Sequence, residues 1–393
     1  MRVQQQLQSC AVPSDPTHPL AQRAHPEPPH PYRSPFERDR ARIIHARSFR
    51  RLAAKTQVFT HRSTGPQGAA GAFSDHFRSR LTHTMEVAQI ARTVAATLGL
   101  NQDLAEALAL VHDIGHPPFG HAGEQALDHA LQQHGLRFDH NLHALCIVED
   151  FEQRYASFRG LNLTLGVREG IVKHSHEYTA VEHPELAIYL LDQQAPLEAQ
   201  IIDLSDEIAY LTADLDDGME AGLLDVASVR AEVGLFERFY APMAAEHAGV
   251  AEKLIFNEAL KRMLNALVGD LIDSTLAAAR DQGIGSLDAV RAASGRLAAF
   301  SPAIEAQRLE AKRYLYARLY SSEDLERDHQ LAAHVIESLF AAWVADPSLL
   351  PPGYAARAAT EAPARVVADY LAGMTDPFIL AQYDEWTSAR AGA

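Results

Sequence analysis

The sequence predicts an all-α fold, and three observations predict it. Apolar residues recur three and four positions apart through most of the chain, the period of helices with one buried face. No alternating apolar–polar run of any length marks a strand. No internal repeat and no Gly-rich loop of the Walker type is present. With 393 residues, 47% hydrophobic and 22% charged, the chain can bury a large core in one big domain or two.

Residues 1–34 are rich in Pro, Gln and His without apolar periodicity, so a disordered or loosely attached segment is expected. From Ser34 onward, Phe36, Ile43, Ile44, Ala46 and Phe49 mark a helical face beside several arginines. Thr60 to Asp75, rich in Gly, Ala and Ser, reads as a loop. Leu81, Met85, Ala88, Ala91, Val94 and Leu98 form a stripe ending at Gly99, with His83 off that stripe. An apolar run spans Leu104 to Val111, and Glu124 to His134 continues as a helix. Asp139 is placed to cap a helix beginning at His140.

Farther on, Glu198, Asp206, Tyr210 and Asp214 fall at multiples of four and share one helical face. Ile201, Leu204, Ile208, Leu211 and Leu215 lie opposite, so the helix can turn a core-facing back and a polar front to a pocket. Further helices are expected over Phe256–Ala279, Ile304–Tyr320, His329–Val344 and Ala364–Leu371.

A net charge of −16 argues against nucleic-acid binding by the whole surface. The charge is uneven, however. Nine basic residues between Arg33 and Arg62 face only Glu37 and Asp39, a composition suited to a small polyanion held in one site. Within it, the Arg50 and Arg51 guanidiniums suit bidentate phosphate contact, Lys55 offers a point charge, and Gln57 could read a base or sugar edge. A second patch, Arg308, Lys312, Arg313 and Arg318, could touch single-stranded nucleic acid weakly. Cys10 and Cys146 make no disulfide framework, no apolar run approaches about 18 residues, and no signal-peptide pattern opens the chain. A cytoplasmic location without membrane attachment is the expectation.

The chemistry concentrates between His112 and Glu124, which hold His112, Asp113, His116, His121 and Glu124 after the apolar run. Imidazole and carboxylate suit borderline and hard divalent cations, and no thiolate is nearby to suggest structural zinc. Neighbours in a helix point about 100° apart, so His112 and Asp113 can reach one ion only where the helix ends, before Gly115 and Pro117. His121 and Glu124, three residues apart, can pair on one face, and a carboxylate raises the basicity of the imidazole it holds. His140 could join that cluster. Arg80 sits one turn before His83, and Lys173 follows an apolar helix, a possible phosphate contact.

Arg80…His83, His112-Asp113 and Asp206-Glu207-Ile208-Ala209-Tyr210 together resemble the HD-domain phosphohydrolases. The run from His112 to Glu124 and Phe49-Arg50-Arg51-Leu52…Lys55-Thr56-Gln57-Val58-Phe59 are more specific, and look like the deoxynucleoside triphosphate triphosphohydrolases. The likeness is strong over residues 34–220 and looser to the phrase Tyr370-Leu371-Ala372-Gly373-Met374-Thr375-Asp376.

The resemblance implies an HD helical bundle over residues 35–220, with helices of 221–393 packed on it. It implies a divalent metal, manganese, magnesium or possibly iron, held by His83, His112, Asp113 and Asp206. His121 and Glu124 match a catalytic dyad, and His116 and His140 match histidines lining the α-phosphate. Arg80 and Lys173 match phosphate contacts, while Gln57, Tyr210 and Asp214 match residues that embrace the deoxyribose. Its implied partners are deoxynucleoside triphosphates and further copies of the chain in a homo-oligomer. Two departures stand out: the Thr60–Asp75 loop is longer than usual, and Ala213 stands where relatives often carry histidine. Another HD nucleotidase or phosphodiesterase, and a nucleotide-binding regulator without turnover, are the competing functions.

Overall fold

The computed structural model describes residues 6–58 and 77–391, so the loop expected over Thr60–Asp75 lies outside the described residues. Described residues form helices, turns and three isolated bridges, without a strand. In chain order the first helices are α1 (Pro35–Ile44), α2 (Arg47–Arg51), α3 (Arg80–Leu98), α4 (Gln102–Val111), α5 (Gly120–Gln132) and α6 (His140–Cys146). Then come α7 (Leu165–Val172), α8 (Leu197–Glu220), α9 (Val226–Glu232), α10 (Gly234–Glu246) and α11 (Glu252–Asp281). The last are α12 (Leu287–Arg291), α13 (Pro302–Leu315), α14 (Glu323–Ala345), α15 (Pro352–Ala358), α16 (Pro363–Ala372) and α17 (Asp376–Ala391). The four late helices expected from periodicity are α11, α13, α14 and α16, and each starts at least one residue earlier than expected. At α13 the start is set by a cap: Ser301 accepts from the Ile304 N–H ahead of Pro302.

The chain forms two compact units that interleave along the sequence, so the breaks at residues 34 and 220 are not unit boundaries. One unit comprises Met1–Ile43, His83–Leu110 and Asn162–Ser322; the other comprises Ile44–Thr82, Val111–Leu161 and Glu323–Ala393.

In the first unit, α8 packs against α11 and α13, and α10 packs against α11. Ile201, Ile208, Leu211 and Leu215 of α8 are buried, as are Leu260, Met263, Leu267 and Leu271 of α11. Each such side chain contributes roughly 1.5–3 kcal/mol by leaving water. The N-terminal segment corrects its expectation: Leu7, Cys10, Val12, Leu20 and Ala21 are buried. Its anchor is Glu198, whose Oε1 accepts from the Val12 and Asn101 N–H groups, both at 2.9 Å. Glu198 is therefore a buried structural carboxylate and not part of a polar front.

The stripe on α3 is also corrected. Met85 is 61% exposed, while Ala88, Ala91, Val94 and Leu98 are buried as expected, joined by Val87, Ile90 and Ala95. Extended back by four residues, that register runs through His83, which is buried at the head of the stripe. Apolar type misled here, because a buried imidazole took a position that polarity had assigned to solvent.

In the second unit, α5 lies against α14 and α16. Leu127 and Leu131 of α5, Val335, Ile336 and Leu339 of α14, and Val366, Val367 and Leu371 of α16 share one apolar core. Gly123, Ala126, Leu127, Ala130 and Leu131 make the buried face of α5. That face fixes the roll of the helix and so the direction in which His121 and Glu124 project.

Candidate functional site

α4 ends at Val111, and His112 and Asp113, both of the second unit, occupy the turn beyond it. The Asp113 carboxylate receives Arg80 Nη1 at 2.8 Å and His116 Nδ1 at 3.0 Å, and His112 Nε2 lies 3.6 Å away. Burial opposes ionisation of Asp113, but Arg80 and the two imidazoles outweigh it and hold the carboxyl well below the usual carboxylate range. Burial above all, then Arg80 and His140, push His116 well below the ordinary imidazole value, so His116 stays neutral.

A second knot lies on α5 and α6. Glu124 Oε1 accepts from the His140 backbone N–H at 3.1 Å and meets His140 Nδ1 at 2.8 Å. His121 Nδ1 stands 3.6 Å from Oε2, longer than a hydrogen bond. The expected His121–Glu124 dyad is thus a triad of groups in which His140 is the tighter partner. Burial works against charge on both Glu124 and His140, yet their partners win: His121 and His140 lower the Glu124 pKa, and Glu124 raises that of His140. The His116 and His140 rings stack with centroids 4.0 Å apart. Two stacked imidazoles resist double protonation, so their environments split them into one neutral and one cationic ring. His121 is the exposed member, with 64% of its side chain open. One nitrogen or oxygen each from His116, His121 and Glu124 lies within 4.8 Å of the others, a spacing that could itself hold a cation.

The loop between these knots is held by two buried charges. Lys55 Nζ donates to the carbonyls of His116 at 2.5 Å and Ala372 at 2.9 Å. Asp376 accepts from Thr56 N–H and from Phe119 N–H, at 2.8 and 2.9 Å, and from the Thr56 hydroxyl. Phe119 and Gly120 adopt φ of 63° and 58°, a strained backbone for phenylalanine that the Asp376 bond helps to hold. A Cβ at Gly115 would fall 2.0 Å from the His140 carbonyl, so only glycine lets α6 come this close. Lys55, expected as a phosphate contact, is instead 3% exposed and spent on carbonyls. Burial pushes its pKa down to about 7.

Arg50 and Arg51 are exposed at the end of α2, and Arg51 donates to the Gly373 carbonyl at 2.6 Å. Arg80 is 2% exposed, and its Nε and Nη2 have no hydrogen-bond partner among the described residues. The same holds for His116 Nε2 and Gln57 Oε1. Buried polar atoms left unpaired are costly and call for a ligand.

In the first unit His83 Nε2 meets Asp206 Oδ1 at 2.7 Å. Nearly one turn earlier on α8, Asp203 Oδ1 holds His174 Nδ1 at 2.6 Å and is also paired with Arg296. Two turns from Asp206, Asp214 is buried and accepts from the Tyr320 hydroxyl. The Tyr210 and Tyr320 rings stack at 5.9 Å, and burial lifts both phenol pKa values well above 10.0. Tyr320 and the His174–Asp203 pair escaped sequence reasoning. Tyr320 lies a hundred residues beyond α8, on a π-helical turn (Tyr316–Tyr320), and only a fold brings it to Asp214.

Two expectations in this unit are altered. Lys173 Nζ donates to Glu169 Oε1 at 2.7 Å and to the carbonyls of Leu190 and Gln193 at 2.7 and 2.8 Å, which uses its three protons. A phosphate contact would have to displace one of them. Three of the four cations in the basic patch are paired with carboxylates: Arg308 and Lys312 with Glu207, and Arg318 with Glu232. Cys10 and Cys146 are both free, and among the described residues no helix is long and apolar enough to cross a membrane.

Known proteins agree with this chemistry. Residues 80–211 match the HD domain, and residues 298–385 match the phosphohydrolase-associated domain. A deoxyguanosinetriphosphate triphosphohydrolase-like protein of Thiobacillus denitrificans is 45% identical over 92% of this chain and 93% of its own. Proteins of the same description from Bordetella pertussis and Deinococcus radiodurans are each 42% identical, over 94% and 92% of this chain and 94% and 91% of theirs. An imidazole- and carboxylate-rich HD segment, an associated C-terminal segment and similarity along nearly the whole length lead to one assignment: the chain belongs to the deoxyguanosinetriphosphate triphosphohydrolase-like family of HD-domain phosphohydrolases.

Proposed function

We propose that this protein hydrolyses deoxynucleoside triphosphates to the deoxynucleoside and inorganic triphosphate. The observation that carries the reading is the knot of His116, Glu124 and His140 with exposed His121 beside it, in a chain whose relatives are described as deoxyguanosinetriphosphate triphosphohydrolase-like proteins. His83, His112, Asp113 and Asp206 would hold a divalent cation. Their donor set of imidazole nitrogen and carboxylate oxygen without thiolate fits manganese, magnesium or ferrous iron. When bound, such an ion polarises a phosphoryl oxygen and lowers the pKa of coordinated water.

The chain's own groups divide the remaining work. His140, kept cationic by Glu124, donates to an α-phosphate oxygen and stabilises charge gathering there. His116, neutral and with its Nδ1 proton turned to Asp113, lines the same phosphate and keeps Nε2 as an acceptor for a proton of the attacking water. His121, the accessible imidazole, moves a proton to the departing 5′-oxygen or from the attacking water, with Glu124 behind it. Arg80 turns its two unpaired nitrogens to the polyphosphate, and Arg50 or Arg51 adds charge from the surface. Gln57, Tyr210 and Asp214 take the sugar, with Tyr210 against the ring where a 2′-hydroxyl would crowd.

The test is an assay of the four deoxynucleotides, singly and mixed, with manganese, reading products by anion-exchange chromatography. Inorganic triphosphate in equal amount to deoxynucleoside supports the reading. Release of orthophosphate or pyrophosphate, or tight binding without product, rejects it.

A further inference from the structure

Away from both histidine knots, the first unit encloses a cavity of about 600 Å³ built entirely from residues 14–38, within the size range of small-ligand sites. Its walls are stiff. Pro16, Pro26, Pro29 and Pro35 line it, and prolines with fixed φ lose little entropy when a ligand packs on them.

Its charge is cationic in an otherwise acidic chain. Arg23, Arg33 and Arg38 face the cavity, with Arg42 close behind. The ion pairs of Arg23, Arg38 and Arg42 converge on Glu27, at 3.9, 3.4 and 2.6 Å, and Arg23 also reaches Asp39 at 2.5 Å. Asp39 is already occupied by Thr164, whose N–H and hydroxyl it accepts at 3.0 and 2.6 Å. Arg33 spends one guanidinium nitrogen on His30 Nε2 at 2.9 Å, a neutral partner. Burial first, then Arg23, lowers the Arg38 pKa, while Glu27 pulls it the other way. Three arginines share the one Glu27 carboxylate.

We infer that this pocket binds the phosphate of a small phosphate ester, held by Arg33 and Arg38, with its organic part against the proline wall. Planar guanidinium forks match phosphate bidentately. The inference does not depend on the reaction proposed above, since no residue of the pocket belongs to either histidine knot.

Phenylglyoxal labelling of the full-length protein, read residue by residue by mass spectrometry, tests it. The probes are inorganic phosphate, ribose 5-phosphate and ribose, with potassium chloride at matched ionic strength. Saturable protection of Arg33 and Arg38 by ribose 5-phosphate but not by ribose or chloride supports the site. Equal protection by inorganic phosphate would identify the phosphate group alone as the ligand. In Arg33→Ala, with Arg33→Gln as a second variant should the first fail to fold, half-protection of Arg38 should need at least ~10-fold more ribose 5-phosphate, as expected for a lost charge-assisted bond. Labelling that neither phosphate compound slows beyond chloride, or Arg38 protection unaltered by the Arg33 substitutions, overturns the inference.

Discussion

The two units solve the same problem by different means. Both must hold imidazole against carboxylate out of bulk water. The first unit does so along one long helix, α8, where Asp203, Asp206, Tyr210 and Asp214 keep helical register and their partners come to them. The second does so in the turn from His112 to Phe119, which has no ladder of its own and is held by Lys55 and Asp376. A helix supplies its own geometry. An irregular turn must borrow geometry from elsewhere, and borrowed geometry needs buried charge.

That contrast yields graded predictions. The largest effect should come from removing a proposed ligand in either unit. Asp206→Ala and His112→Ala should each lose bound manganese by elemental analysis and fall below detectable turnover. Retention of full metal stoichiometry by either variant would show that the substituted side chain is not a ligand. Next, Glu124→Gln should keep the metal and lower kcat by ~10²–10⁴, the span of general acid–base catalysis. A His121→Ala protein that matches it would make the two a functional pair, whereas a larger loss in His140→Ala would place the weight on the tighter contact.

The clamp comes third. Asp376→Ala leaves the Thr56 and Phe119 N–H groups without their acceptor, a cost of about 1–3 kcal/mol for each buried group left unpaired. A clear drop in the urea midpoint is expected, together with a fall in kcat. Lys55 adds a pH signature. Unfolded it titrates near 10.5 and folded near 7, so the unfolded chain binds more protons between those values. Stability from this group is therefore poorest below about 7 and rises with pH across that window, and Lys55→Met should flatten the rise in urea titrations. A wild-type protein with no such slope would show that the ammonium is better solvated than its burial suggests.

The smallest effect is expected at Tyr320, which only joins an aspartate that α8 already holds in register. Tyr320→Phe removes one hydrogen bond to a carboxylate, worth about 1.5–3 kcal/mol. It should raise KM for the deoxynucleotide with kcat little changed. A loss confined to kcat would mean that Asp214 serves the chemistry instead of the sugar.

The same contrast explains what the sequence made legible. Helical period exposed α3, α4, α5 and α8, and the density of His and Asp between 112 and 124 exposed the chemistry. Spacing placed His121 beside Glu124, but it could not show that His140, sixteen residues on, bonds more closely. Nor could it tell Lys55 from its neighbours Arg50 and Arg51, since all three are cations in one basic stretch. Only packing decides which is buried against carbonyls and which meets water. Tyr320 was invisible for a related reason: a tyrosine at the end of the helix expected over Ile304–Tyr320 has no local mark of the aspartate it serves.

The proline-rich beginning of the chain bears on how variants should be prepared. Trimming it to give a tidier protein would take away Val12, and one of the two amides that quiet the Glu198 carboxylate would go with it. The damage would begin at the first turn of the same helix that carries Asp206 and Asp214. An inactive shortened protein would then say nothing about its active site, only that its scaffold had been undermined from a distance.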